Sequence, residues 1–77
     1  MNAKDTFGKW LKAKLNEHEI LQKDLAREIC VSPNTVTSWI TEDREPNIRN
    51  FFWVCRIIAV KENKHFIIVA REAAELF

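Results

Sequence analysis

Four short polar side chains lie close together in the middle of the chain: Asn34, Thr37, Ser38 and Thr41. At 100° per residue they share one side of a helix, and none of them is charged. Asn can pair bidentately with adenine, and Ser or Thr can bond to either kind of base or contact the thymine methyl group. This face suits the recognition of base edges in a DNA major groove. The alternative is an ordinary polar surface helix.

The opposite side of the same helix is apolar. Val36, Trp39 and Ile40 cluster there, which predicts that this side packs against a core. Ser32 and Pro33 form a strong helix start, because Ser accepts a hydrogen bond from a free amide and Pro suits the first helical position. Solvated helix faces usually carry Lys and Glu, whereas Asn, Ser and Thr lower helix propensity. The composition of the polar face therefore favours the recognition hypothesis.

The other residues that could carry chemistry are few. Cys30 and Cys55 have no neighbouring ligands in sequence, so both are interpreted as small buried apolar residues and no metal site is predicted. His18 and His65 are interpreted as isolated surface residues. There is no Ser, His and Asp set and no glycine-rich phosphate loop. We expect no enzyme activity, no cofactor and no small-molecule substrate.

The surrounding sequence predicts an all-α fold. One Gly, two Pro and no Tyr argue against a hairpin-rich β fold, and apolar residues recur at three- and four-residue spacing. The run from Phe66 to Val69 would also suit a strand. Helix 1 is expected to be capped by Asp5 or Thr6, and Asn63 is expected to cap helix 5. The predicted helices span residues 6–17, 22–29, 32–41, 47–59 and 63–76.

The length of 77 residues predicts one domain, residues 1–77. The formal net charge is only +1, with a lysine surplus in the first fifteen residues and no charge between Cys30 and Thr41. There is no apolar run of signal-peptide or membrane-spanning length. We expect a cytoplasmic protein with no membrane partner.

Two stretches resemble the Cro and phage-repressor, or lambda-repressor-like, family of helix-turn-helix proteins. The segment from Gln22 to Trp39 has the family's Gln at the start of its second helix, Leu-Ala within that helix, Val-Ser at the turn, and Val then Trp in the third helix. The segment from Pro46 to Val60 is similar to the family's fourth helix. The resemblance implies a compact five-helix DNA-binding domain whose helix-turn-helix spans residues 22–41.

The resemblance also implies which residues contact double-stranded DNA. For the phosphates around the start of helix 4 there is an independent reason, because helix N-termini direct amides and positive dipole at anions. The expected base contacts are Pro33, Asn34, Thr37, Ser38 and Thr41. The expected phosphate contacts are Gln22, Lys23, Thr35, Arg44, Asn47 and Arg49.

The chain departs from the family pattern at three places. Cys30 replaces the Gly usual in the turn, so a side chain must be tolerated where φ is expected to be positive. Leu21 replaces the polar cap of helix 2. Arg44 is surrounded by Glu42, Asp43 and Glu45, and these acids lower the expected affinity for phosphates.

A homodimer on a pseudo-palindromic operator is expected, because one recognition helix contacts too few base pairs to specify a site. The predicted dimer interface combines surplus apolar residues of helices 4 and 5: Trp53, Ile57, Phe66, Val69, Ala73 and Leu76. The chain is interpreted as a transcriptional repressor of the Cro-like phage type, ahead of a restriction controller and an antitoxin-type autoregulator. The alternative is a protein-interaction module, of antitoxin or anti-repressor type, on the same fold.

Overall fold

The computed structural model describes residues 6–42 and 44–75. Asp5, Asp43 and Leu76, to which roles were assigned above, lie outside these ranges. The described residues form five α-helices and no strand, which confirms the all-α prediction and settles the ambiguous run at 66–69 as helix. No helix in this part of the chain is long and apolar enough to cross a membrane. The helices are α1 (Phe7–Glu17), α2 (Gln22–Glu28), α3 (Pro33–Thr41), α4 (Ile48–Glu62) and α5 (Phe66–Ala74).

All five helices contribute to one apolar core. The inward side of α3 supplies Val36 and Trp39, as its apolar face predicts, and the Trp39 ring meets Phe7 of α1 edge-on at a centroid distance of 6.2 Å. Burial of large apolar side chains is the main stabilising term in a chain this small. The largest fully buried side chains are Phe7, Leu11, Leu25, Ile58, Val36, Val54, Val69 and Cys55.

Side chains cap four of the five helix starts. Thr6, Ser32 and Asn47 each accept a hydrogen bond from the backbone amide three residues later, which satisfies one of the free amides of the first turn. Leu21 makes no such bond, as expected from its side chain. The cap of α5 is His65, whose Nδ1 accepts from the Ile67 amide at 3.1 Å.

Three helices end with a residue in the left-handed conformation, and none of the three is Gly. Glu19, Cys30 and Asn63 have φ of 55°, 61° and 55°. The amide that follows each one bonds back to the helix, as in the Schellman motif: Val31 N to the Ala26 oxygen at 3.0 Å is one example. The expectation that Asn63 begins α5 is therefore wrong, since Asn63 ends α4, which extends to Glu62 rather than Ala59.

The one glycine of the chain serves close helix packing instead. Gly8 lies on the side of α1 that faces the end of α3, and a Cβ atom built on it would lie 2.1 Å from the Trp39 carbonyl oxygen. That distance is far inside van der Waals contact with a backbone atom. Only glycine therefore allows α1 to hold α3 at this separation.

The extra turn of α4 brings a carboxylate under α1. Glu62, whose side chain is 6% exposed, accepts a hydrogen bond from Lys14, and its Oε2 lies 2.9 Å from His18 Nε2. Lys64 Nζ lies 3.3 Å from Oε1. The interpretation of His18 as isolated from carboxylates is thus wrong, because Glu62 is 44 residues away in sequence and adjacent in space.

Burial by itself favours the neutral acid of Glu62. Hydrogen bonds from Lys14 and His18 and the nearby charge of Lys64 outweigh it and lower the pKa of Glu62 from 4.5 to about 2. Burial of Lys14 is outweighed in the same way by Glu62 and Glu72, so the pKa of Lys14 is raised. The cluster fastens α1 to α4 and α5, with Trp10 Nε1 donating to Glu72 at 3.2 Å.

Candidate nucleic-acid interface

The two sides of α3 differ sharply in exposure. Val36 is 0% and Trp39 4% exposed. On the other side Asn34, Thr37 and Thr41 are exposed and Ser38 is half-buried. The structure therefore brings the predicted base-contact residues together on one surface, which we call the recognition face: Pro33, Asn34, Thr37, Ser38 and Thr41.

Hydrogen bonds fix the hydroxyl groups of this face. Thr37 Oγ1 lies 3.1 Å from both the Pro33 carbonyl oxygen and Gln22 Oε1, and its single proton is shared between these two acceptors. Thr41 Oγ1 donates to the Thr37 carbonyl oxygen at 2.9 Å. With their protons engaged, both hydroxyls present lone pairs and a methyl group outward. Asn34, by contrast, has no side-chain hydrogen bond within the described residues and keeps its amide for a ligand.

The bond to Thr37 also orients Gln22. Because its Oε1 accepts from Thr37, the Gln22 amide has its two N–H donors available beyond the start of α2. Lys23, next along α2, is exposed. Thr35 is half-buried and engaged with Ser32, the two hydroxyl oxygens lying 3.1 Å apart. Donors and a positive charge thus lie at one edge of the recognition face.

The other edge is formed by the α3–α4 loop and the start of α4. The Arg44 amide donates to the Ser38 carbonyl at 3.4 Å, which ties the loop to α3. The Arg44 Nε donates to Glu42 Oε1 at 3.2 Å, and the side chain is 73% exposed. Asn47 caps α4 by accepting from the Asn50 amide at 2.8 Å, and Arg49 is exposed. A 15-residue helix thus directs its amino end to this edge.

The turn between α2 and α3 overturns one sequence-based prediction. Cys30 is exposed, not buried. Its left-handed φ of 61° turns the chain away from the helical path after α2. The Cys30 side chain is therefore exposed, whereas Leu25, Ala26 and Ile29 before it are buried. The prediction of burial rests on the apolar character of cysteine, which does not indicate the direction that its side chain takes in such a turn. Cys55 is buried as predicted, and burial together with the charge of Glu72 raises the pKa of its thiol to about 12.

The predicted dimer interface requires a correction. Val69 and Ala73 are 1% and 0% exposed because they pack into the core of their own chain, so they are not available to a partner. Trp53 is 45% exposed and Phe66 half-buried. Ile57 is half-buried and lines a groove between α2 and α4, which Trp53 also lines. Sequence reasoning missed the exposed residues Ile48, Phe52 and Ile67, which line a groove between α4 and α5.

One group of side chains has the composition of a metal site. Ligand atoms of Glu17, His18 and Glu62 lie within 4.8 Å of one another. Lys14 and Lys64 already neutralise the two oxygens of Glu62, and their ammonium groups would repel a cation. The arrangement is that of a structural ion-pair cluster.

A family model described as helix-turn-helix matches residues 11–62. The chain belongs to the helix-turn-helix family of the Cro and repressor type. The match contains the whole of α2, α3 and α4, so the recognition face and both of its edges fall inside it. The family is one of DNA-binding regulators and not of enzymes. No curated protein and no solved structure was found to match the chain.

Proposed function

We propose that this helix-turn-helix protein is a sequence-specific transcriptional repressor that occupies a pseudo-palindromic operator in double-stranded DNA. The observation that carries the proposal is the recognition face, an exposed and uncharged set of Asn, Ser and Thr side chains opposite a buried Val and Trp. Such a face is costly to a helix and well matched to base edges. The cytoplasm is the compartment in which it would act.

Each residue of the recognition face is assigned a chemical role. Asn34, with its amide unengaged, donates to and accepts from adenine N7 and N6. Thr37 and Thr41 accept from base amino groups or place their methyl groups against thymine, since their protons are held by α3 and Gln22. Ser38 bonds to a neighbouring base, and the Pro33 ring makes apolar contact.

Phosphates on either side of the groove hold the helix in register. Gln22 and Lys23 bind one backbone from the start of α2, with Thr35 nearer that backbone than the bases. Arg44, Arg49 and the amides after Asn47 bind the other backbone, where the amino end of α4 favours an anion. Glu42 and Glu45 oppose this attraction, and with a net charge of +1 a single chain is expected to bind weakly.

Two chains are proposed to bind together. The surplus apolar surface for the contact lies on α4 and α5, and we call it the α4–α5 patch: Ile48, Phe52, Trp53, Phe66, Ile67 and Ala70. Of these, Ile48 is 70%, Phe52 40%, Trp53 45% and Ile67 54% exposed. The α4–α5 patch replaces the dimer interface predicted from sequence. Val69 and Ala73 are removed from that interface because they are buried, and Ile57 because it does not line the patch.

A Cro-like phage repressor ranks first among the regulators proposed, followed by a restriction controller and an antitoxin-type autoregulator. The second candidate function is a protein-interaction module with little affinity for DNA, and the low net charge favours it. Salt dependence separates the two. A DNA-binding regulator shows a log–log slope of several for random duplex DNA, whereas an interaction module shows almost no affinity.

Selection of binding sites from a random duplex pool tests the proposal directly. The expected result is an enriched sequence with two related half-sites whose centres lie about one helical turn apart. Sites enriched by a recognition-face variant such as Thr37→Val should differ at one position in each half-site. A pool that shows no enrichment over a binding-deficient control would contradict sequence-specific recognition.

A further inference from the structure

A second concave surface lies between α2 and α4. It has a volume of about 630 Å³. Its floor is apolar, formed by the half-buried side chains of Ile20 and Ile57 above the fully buried Leu25. Val60 lies at its α4 edge with 79% of its surface exposed. We call it the α2–α4 groove. Ile57 lies about 140° around α4 from Phe52, so the groove opens on a different side of α4 from Phe52. It meets the α4–α5 patch at Trp53, which lines both surfaces.

The two rims of the groove carry opposite charges. The rim formed by α2 and the residues before it carries the carboxylates of Glu19, Asp24 and Glu28. The α4 rim carries Arg56 and Lys61. Arg27 is the one basic residue on the acidic rim, and its Nη1 lies 3.8 Å from Asp24 Oδ1. An acidic row therefore faces a basic row across an apolar floor.

These rows do not neutralise each other. Among the described residues, the ion pairs of the groove are limited to Asp24 with Arg27, and no pair crosses from one rim to the other. Arg56 holds its guanidinium over the Trp53 ring, 5.4 Å from the centroid, which fixes a positive charge and an aromatic face at the same edge. Glu19, Glu28 and Lys61 are exposed and carry charges that a partner can match.

We propose that the α2–α4 groove is a docking site for one amphipathic helix of a partner protein. The fitting helix has an apolar stripe for the floor, Lys or Arg on the flank that meets Glu19, Asp24 and Glu28, and Asp or Glu on the flank that meets Arg56 and Lys61. A nucleic acid does not fit, because three carboxylates of the acidic rim would face its phosphates.

The site is separate from the DNA-binding surface. None of the recognition-face residues lines the groove, and neither do Gln22 or Arg44. The partner can therefore dock while the chain is bound to its operator. Because α2 forms both a rim of the groove and the packing surface behind α3, the docked helix lies one helix away from the bases.

A pair of designed peptides tests the charge arrangement. Each is a fluorescein-labelled helix of about 20 residues with a Leu stripe; the mixed peptide has Lys on one flank and Glu on the other, and the basic peptide has Lys on both. The wild type is compared with the double variant Arg56→Glu/Lys61→Glu, whose substituted side chains are exposed. By fluorescence anisotropy, the mixed peptide should bind the wild type at least about tenfold more tightly than the double variant, and the basic peptide should show the reverse order.

Control measurements distinguish the mixed-charge helix from two other possible occupants of the groove, a second copy of the chain and a nucleic acid. Circular dichroism should show the same helix content in both chains. A mixed peptide that fails to bind the wild type, or a Gln-flanked peptide that binds equally well, overturns the proposal. So does a loss of self-association in a Lys61→Glu chain, which would identify the occupant as a second copy, because Lys61 lines the groove and not the α4–α5 patch. A greater loss of affinity for random duplex DNA in the double variant than in the charge-matched Lys9→Glu/Lys12→Glu chain would place nucleic acid at this rim and also overturn it.

Discussion

The hydroxyl of Thr37 has one proton, and two oxygens compete for it. One belongs to Pro33 in the preceding turn of α3 and the other to Gln22 at the start of α2, each 3.1 Å away. The same side chain therefore fixes the orientation of the Gln22 amide and presents its own lone pairs outward. A residue proposed to contact a base and a residue proposed to contact a phosphate are positioned by one hydrogen bond, before any ligand binds.

Asn34 offers the cleanest test of base recognition, because its amide has no partner in the described part of the chain. Asn34→Ala is expected to cost about 1–3 kcal/mol of affinity for the selected operator and to leave binding to random duplex DNA nearly unchanged. The reason is that a lost base contact affects only the matching site. Titrations of both duplexes at one salt concentration measure the difference.

Two further variants complete this test. Asn16→Ala removes an exposed Asn from α1, away from the recognition face, and should change neither affinity. Arg44→Ala should weaken both complexes alike and lower the salt slope by about one, as expected of a phosphate contact. Equal losses on operator and random DNA from Asn34→Ala would refute its assignment to a base.

At the scale of the helices, the Glu62 cluster determines how α4 and α5 lie on α1. The carboxylate is nearly buried and has three positively charged or polar neighbours, Lys14, His18 and Lys64. Removing one partner from a buried pair leaves the other without compensation, which costs more than the pair contributes when intact. The cluster is therefore a junction whose loss loosens three helices together.

The pKa of Glu62 predicts how stability depends on pH. Its folded-state pKa, about 2, lies below its unfolded value of 4.5, so the native state favours the ionised form. The stabilisation, roughly 3 kcal/mol, is present above pH 4.5 and is lost as the pH falls toward 2. Glu62→Gln should remove about that amount from the free energy of unfolding at pH 7, and its difference from the wild type should shrink toward pH 2.

Urea denaturation at pH 7, 4 and 3 measures this. Glu75→Gln replaces an exposed glutamate directly after α5 and serves as the matched control. Its free energy of unfolding should follow that of the wild type across these pH values. If Glu62→Gln also ran parallel to the wild type from pH 7 to 3, the carboxylate would not be the group that titrates.

The helices and the recognition face could be predicted from sequence because both depend on local spacing. Ser32-Pro33 starts α3, and the residues from Asn34 to Thr41 divide into two faces by helical periodicity alone. The errors concern positions where distant packing decides. The positive φ expected at Cys30 is confirmed, but its exposure was not predicted. Asn63 adopts a left-handed turn that periodicity does not signal, and α4 runs on to Glu62 because α1 supplies a lysine and a histidine there.

At the scale of the whole molecule, the α4–α5 patch decides whether one chain or two bind the operator. A single α3 contacts four or five base pairs at most, and the net charge of +1 gives little electrostatic attraction. A two-fold dimer doubles both contributions and places two recognition helices about 34 Å apart. Removing residues 64–77 is a poor test, because it also removes Val69 and Ala73 from the core.

A matched pair of substitutions on α5 tests the dimer without that loss. Ile67 and Ile68 are 54% and 55% exposed, but only Ile67 lines the groove with Ile48 and Phe52. Ile67→Asp is expected to abolish cooperative binding to the two-half-site operator, because a charge would be buried between the chains. Ile68→Asp should bind nearly as the wild type does, and both should retain its affinity for a single half-site. Sedimentation on and off DNA and half-site titrations measure these outcomes. If Ile67→Asp bound the full operator as tightly and as cooperatively as the wild type, the contact between chains would have to lie elsewhere on the surface.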